Sequence, residues 1–231
     1  MPIIKLDKSI IPSCDVDSLE KLKKIVKETC SVEGIGAYKV GFELVIPFGM
    51  KKVVETIRDL TKLPIIYDHQ KGGTDIPDTG GKFMKACKGF DAVIIFPQSG
   101  PETEVAWIKA AQKMKMSLIV GGEMTHPAYL EEEGGFIKDN APARMYEIAA
   151  AMGVNDFVVP GNKINKVLQY KKIIEAKVKN PVFYSPGLIT QGGSISDAAK
   201  KLERWHAIVG RAIFESRDMK KAAKGMAENL K

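Results

Sequence analysis

Eight short, continuously apolar runs, each followed by an amphipathic stretch, constrain what this chain can fold into more than any other feature. The runs are SIIPSCDV (9–16), AYKVGFELV (37–45), LPIIYD (63–68), DAVIIFP (91–97), SLIVGGEM (117–124), DFVVPG (156–161), PVFYSPG (181–187) and HAIVGRAIF (206–214). A strand with one wet face alternates apolar and polar residues, and these do not. They are expected to be buried on both faces, as strands of a parallel sheet are. Between them, apolar residues recur at three and four, as at Leu22, Ile25 and Val26, which is the helical period. Eight strand–helix units in 231 residues match a (β/α)8 barrel, which takes about 250. An open doubly wound sheet would favour a glycine-rich loop after its first strand, and CDVDSLEK offers none. One connection is long and irregular, THPAYLEEEGGFIKDNAPAR (125–144), and no linker divides the chain. The expectation is an α/β, single-domain TIM barrel spanning residues 1–231.

Charge narrows the function. A net charge of +7 admits nucleic acid, a membrane surface or an anionic small molecule as partner. The lysines are spread over most amphipathic segments and form no dense block with interleaved aromatics, so nucleic acid is not expected. No apolar run approaches the roughly 20 residues of a membrane helix, and no membrane partner is expected. The N-terminus carries no basic stretch followed by a long apolar one, and the three cysteines, Cys14, Cys30 and Cys87, show no CxxC spacing. Those features fit a reducing, cytoplasmic setting without a disulfide framework or zinc site.

Barrel chemistry sits at the C-terminal ends of strands. The polar residues there are Asp15; Lys39; Asp68, Lys71 and Asp75; Glu123, Thr125 and His126; Ser185 to Gly187 with Gln191 to Gly193; and Gly210 with Arg211. Packed around one mouth, such charges perturb one another. Asp15 could instead cap the following helix. Lys39 lies within an apolar run, where a lone charge is costly and a paired one is expected. Asp78 reads as a helix cap, and His126 and His206 as structural. The segments PGLITQGG and VGRAIF combine glycine amides, Gln191 and Arg211, a composition suited to phosphate.

These pieces together resemble the orotidine 5′-monophosphate decarboxylase family, over most of the chain from Ser13 to Phe214. The resemblance rests on CDV, YKVGFELV, the Asp–Lys–DIPDT segment, GEMTHP, SPGLITQGG and AIVGRAIF. It implies a homodimeric barrel with its active site at the subunit interface, using neither metal nor organic cofactor, and taking orotidine 5′-monophosphate (OMP) to UMP. The resemblance assigns Lys39, Asp68, Lys71 and the partner's Asp75 to a catalytic tetrad. Ile76 and Thr79 would also reach the partner's site. Asp15 and Lys39 would bind ribose hydroxyls, Thr125 and Pro186 would border the pyrimidine, and Gln191, Gly210 and Arg211 would hold phosphate. Related Mg2+-dependent sugar-phosphate lyases share fold and phosphate site, and Glu43 could supply their extra strand-two acid. A non-catalytic nucleotide-phosphate barrel is a further alternative.

One segment departs from the family pattern, which has one residue between the first Asp and Lys and two before Asp-Ile. Here two residues separate Asp68 from Lys71 and three separate Lys71 from Asp75. In a regular strand Asp68 and Lys71 would face opposite sides. A bulge near His69-Gln70, with Gly72-Gly73 absorbing the second insertion, would restore a shared face. Otherwise His69 and Lys71 point inward and Asp68 does not.

Overall fold

The computed structural model describes residues 2–69, 72–189 and 191–230. Its strands are β1 (Lys8–Pro12), β2 (Tyr38–Val40), β3 (Ile65–Asp68), β4 (Ala92–Ile95), β5 (Ser117–Gly121), β6 (Asp156–Val158), β7 (Val182–Ser185) and β8 (Trp205–Val209). They pair in parallel in the order β1-β8-β7-β6-β5-β4-β3-β2. The bridges Ile10↔Ile35 and Ser13↔Lys39 bring β1 against the β2 segment and turn the sheet into a barrel. There the Cys14 N–H donates to the Lys39 carbonyl at 2.8 Å.

Around the strands lie α1 (Leu19–Thr29), α2 (Phe42–Phe48), α3 (Met50–Arg58), α4 (Gly80–Ala86), α5 (Pro101–Met114), α6 (Ala141–Ala151), α7 (Ile164–Glu175), α8 (Ile195–Lys201), α9 (Arg211–Phe214) and α10 (Met219–Glu228). Ser18, Ser194 and Asp218 cap α1, α8 and α10 by accepting from backbone N–H groups. No helix among the described residues is long and apolar enough to cross a membrane.

Period two along each strand splits the core into two shells. Tyr67, Val93, Val120, Phe157 and Phe183 point outward under the helices. Ile11, Ile66, Ile94, Ile119, Val158 and Ile208 fill the barrel. Each such fully buried side chain contributes about 1.5–3 kcal/mol. Ile4, 2% exposed, closes the bottom of the barrel. Above it Ser9 and His206 share a hydrogen bond of 2.8 Å, and the Tyr184 hydroxyl donates to Asp156 at 2.8 Å. His206 is thus a core residue, as expected, its pKa lowered to about 3 by burial and by Arg204.

Every strand but β3 ends before its apolar run does, β2 and β8 by the most. The run at 37–45 is strand only to Val40, and Phe42–Phe48 is helical. The run at 206–214 is strand to Val209 and then α9, and that at 117–124 ends at Gly121. The first turn after β2 and after β8 also buries apolar side chains, Leu44 and Val45 in α2 and Ile213 in α9. Continuity of hydrophobicity therefore runs across the strand–helix switch.

Glu104 on α5 is 1% exposed, its Oε1 has no hydrogen-bond partner among the described residues, and burial pushes its pKa from 4.5 to about 8. The folded state therefore holds a proton there that the unfolded chain has released. This contribution to stability is fully present below pH 4.5 and is lost as pH rises to about 8. Relative to the parent, Glu104→Gln should gain on the order of 3 kcal/mol between pH 4.5 and pH 9. Denaturant melts across that range read the difference, and a pH-independent offset contradicts it.

Candidate active site

Three strand ends meet around one ammonium. Lys39 on β2 is 4% exposed. Its Nζ lies 3.0 Å from Asp68 Oδ2 at the end of β3 and 3.2 Å from Asp15 Oδ1 beyond β1. Ser13 Oγ donates to the other Asp15 oxygen at 2.7 Å. Burial alone would lower the Lys39 pKa, but Asp68 and Asp15 outweigh it and hold the ammonium above its ordinary value. Lys39 is thus a fixed cation, and the cap for α1 is Ser18, which frees Asp15 for this pairing.

The register of β3 settles which neighbour faces the barrel. Ile66 points in, Tyr67 out, Asp68 in and His69 out. His69 Nδ1 makes a short hydrogen bond to the Tyr67 hydroxyl and its ring lies against Phe83, on the helix side. The alternative in which His69 replaces Asp68 is therefore corrected: the barrel interior receives Asp68. Gln70 and Lys71 lie outside the described residues, and with them the expected bulge. The next two residues press against β4. The Gly72 carbonyl accepts from Phe96 N–H at 2.7 Å, and a side chain on Gly72 would meet the Ile94 carbonyl at 3.1 Å. Gly73 takes φ +83°, which favours glycine.

The cleft above the barrel has a volume of about 530 Å3. Two unlike sets of polar residues line it: Asp15, Lys39 and Asp68 from the ends of β1 to β3, and Gln191, Gly210 and Arg211 from beyond β7 and β8. Its floor is apolar: Ile94, Phe96, Val158 and Ile208. Thr125 and Pro186 line it too, with Met124 and His126. The Thr125 carbonyl accepts from Asn162 Nδ2 at 3.0 Å.

Arg211 is exposed into the cleft, and its guanidinium pairs with no carboxylate among the described residues. The facing loop folds back on itself, Ile189 N–H donating to the Gly193 carbonyl at 2.8 Å. Gly187 has φ +85°, and a Cβ there would lie 2.8 Å from Thr125 Cγ2 and 3.0 Å from Gln191 Oε1. An unpaired, planar cation beside a glycine-rich loop can hold a phosphate through paired hydrogen bonds. Thr190 lies outside the described residues.

Several expected site residues are elsewhere. Asp75, Ile76 and Thr79 do not line this cleft; Asp75 and Ile76 line a separate groove, where Ile76 is 60% exposed. Glu123 does not face the mouth: its carboxylate is buried behind the barrel wall, 2.8 Å from Lys163 Nζ and in a short hydrogen bond from Tyr170. Ser185 also points away and accepts from Trp205 Nε1 at 2.9 Å. Asp78 sits in a 3₁₀ turn (Pro77–Thr79) and makes no side-chain cap. Glu43 belongs to the first turn of α2, at the exposed rim, and not to a strand. The described residues contain no cluster of three or more His, Cys, Asp or Glu able to hold a metal. Residues that sequence reasoning missed include Phe96 and Leu188; apolar, they carry no signal that separates cleft from core.

The fold is a (β/α)8 barrel whose cleft holds, over an apolar floor, a buried acid–lysine–acid array and an exposed arginine that pairs with no described carboxylate. Comparison with known proteins places it more narrowly. The model of the orotidine 5′-phosphate decarboxylase / HUMPS family matches residues 8–226, and the chain belongs to that family. It is 31% identical over 224 residues to orotidine 5′-phosphate decarboxylase of Methanosarcina mazei, covering 96% of this chain and 94% of that one. Identity to the enzyme of Methanocaldococcus jannaschii is 30% over 218 residues, 94% of this chain and 95% of that one. The M. jannaschii decarboxylase complexed with the inhibitor BMP superposes with a TM-score of 0.84 at 29% identity, over 96% of this chain and 98% of that one.

The two cations just described, Lys39 and Arg211, differ in what depends on them. Lys39→Met takes from Asp15 and Asp68 the buried ammonium they share and should cost on the order of 3 kcal/mol. Arg211→Ala removes a charge that pairs with no described carboxylate, so its melting temperature should stay within about 2 °C of the parent. Calorimetry of both variants at neutral pH checks the contrast.

Proposed function

We propose that this chain is a metal-free orotidine 5′-monophosphate decarboxylase, a carboxy-lyase converting OMP to UMP and CO2 in de novo pyrimidine biosynthesis. The observation that carries it is the Asp15–Lys39–Asp68 array in one cleft with Arg211, which pairs with no described carboxylate. The full-length similarity to curated decarboxylases supports it. The Arg211 guanidinium, Gln191 and Gly210 hold the 5′-phosphate, and Asp15 and Lys39 take ribose hydroxyls. Thr125 and Pro186 border the pyrimidine over the apolar floor. The bond from C6 to the carboxylate breaks heterolytically; CO2 leaves and the electron pair stays on C6. Lys71 stabilises that charge and gives its proton to C6. Asp68 raises the energy of the bound carboxylate, while Lys39, held charged by its two acids, keeps Asp68 in place.

Such a reaction asks on the order of 20 kcal/mol of differential stabilisation. Phosphate binding, remote from C6, supplies part of it by holding the substrate over the array. A net charge of +7 favours capture of the anion. The active unit is a cytoplasmic homodimer in which Asp75, Ile76 and Thr79 complete the partner's site. Their place outside the chain's own cleft, and the exposure of Ile76, Phe42 and Ile46, support this.

Adding purified protein to OMP in EDTA, without added metal, should convert the ultraviolet spectrum to that of UMP. Arg211→Ala should lower kcat/KM on the order of a hundredfold through KM, as loss of two hydrogen bonds to a charged group implies. Activity that EDTA abolishes points to the Mg2+-dependent sugar-phosphate chemistry of the family. Tight UMP binding without turnover points to a binding barrel.

A further inference from the structure

The segment that bears Asp75 and Ile76 is held by α5, through two side chains whose roles no comparison assigns. Thr103, 4% exposed in the first turn of α5, donates its hydroxyl to the Asp75 carbonyl at 2.9 Å. One helical turn later, Trp107, 2% exposed, donates its indole N–H to the Ile76 carbonyl at 3.2 Å. The same Ile76 carbonyl accepts from Thr79 Oγ1 at 2.8 Å. Residues four apart lie on one face of a helix, so the two donors form a ladder along which adjacent carbonyls of the segment are seated.

The fit around Trp107 is close. Its ring centroid is 4.9 Å from that of Phe83 on α4. At Gly80, where α4 begins, an added Cβ would stand 2.7 Å from Trp107 Cδ1, so only glycine lets the two helices approach this far. A buried indole N–H is a donor that must find an acceptor. Here the acceptor is a loop carbonyl, although the helices around it could have offered the indole an entirely apolar place. Asp75 and Ile76 are exposed, and the Asp75 carboxylate spends one oxygen on the Ile76 N–H at 2.7 Å.

We propose that Thr103 and Trp107 are positioning residues for Asp75 and Ile76, setting where these two side chains stand in the partner subunit's active site. The inference rests on the decarboxylase and dimer readings above. It adds that the geometry of each site is governed by a helix of the other subunit, at a distance from any substrate atom. Displacement of about 1 Å in a reacting constellation costs up to a hundredfold in rate.

The test uses Trp107→Phe, which keeps the ring and removes the N–H, and Thr103→Val, which keeps the shape and removes the hydroxyl. Each should lower kcat for OMP about tenfold or more with a smaller change in KM, since the phosphate end is untouched. The separating measurement is complementation. Mixed dimers are made from either variant and an Asp68→Asn subunit. In the one site that retains Asp68, Asp75 comes from the Asp68→Asn chain, whose clamp is intact. Its activity per site should return to that of a parent/Asp68→Asn mixed dimer. Loss that persists in the mixed dimer, or homodimers as active as the parent, overturns the proposal. An Asp75→Ala/Asp68→Asn dimer serves as control. If it shows no recovery, the dimer reading is what fails, and an inactive parent protein sinks the decarboxylase reading instead.

Discussion

The Lys39 ammonium, almost sealed from solvent between Asp15 and Asp68, is the interaction on which the upper half of the barrel depends. An isolated charge at that depth would cost several kcal/mol, and neutralising the lysine would be cheaper than keeping it. Two carboxylates reverse the balance, but only if the ends of β1, β2 and β3 converge to within hydrogen-bond reach. Closure of the barrel at the β1–β2 seam supplies that convergence: Ser13 pairs with Lys39 across it, and Cys14 N–H bonds the Lys39 carbonyl. Fold and site are here one constraint. The seam sets the charges in place, and the charges make opening the seam expensive.

Much of this was legible in the residues because the signals are local. A lysine in an apolar run has to be paired, and period two from Ile66 sends Asp68 inward. The barrel itself follows from runs buried on both faces. What was not legible is where a strand stops. Gly41 and Gly210 turn the chain into helices whose first turns are as apolar as the strands, so Glu43 looked like a strand residue and is not. Glu123 failed for the same reason. Alternation binds only while the strand lasts, and β5 ends at Gly121, so the carboxylate is free to turn outward to Lys163 and Tyr170. Trp107 reads as ordinary core at helical spacing; its hydrogen bond to a loop 31 positions earlier leaves no trace in its neighbours.

The barrel interior carries polar groups at both ends, and the contrast between them explains which end reacts. At the bottom, burial pushes Asp156 up to about 6 and, with Arg204, lowers His206 to about 3. Each is displaced toward its neutral form, and each is matched to a neutral partner, Tyr184 or Ser9. At the top the same burial acts on Lys39 and loses, because two acids stand within 3.2 Å of it. Burial alone therefore does not make an active site. What distinguishes the top is that charge is retained, in a cleft wide enough for a substrate that a second cation, paired with no described carboxylate, also lines. Arg211 can stay unsatisfied because it is exposed, where solvation of its charge is cheap, whereas Lys39 cannot. The cleft thus combines a sealed, paired cation with an exposed one over an apolar floor, and it is this contrast in solvation, not burial as such, that sets the top of the barrel apart from the bottom.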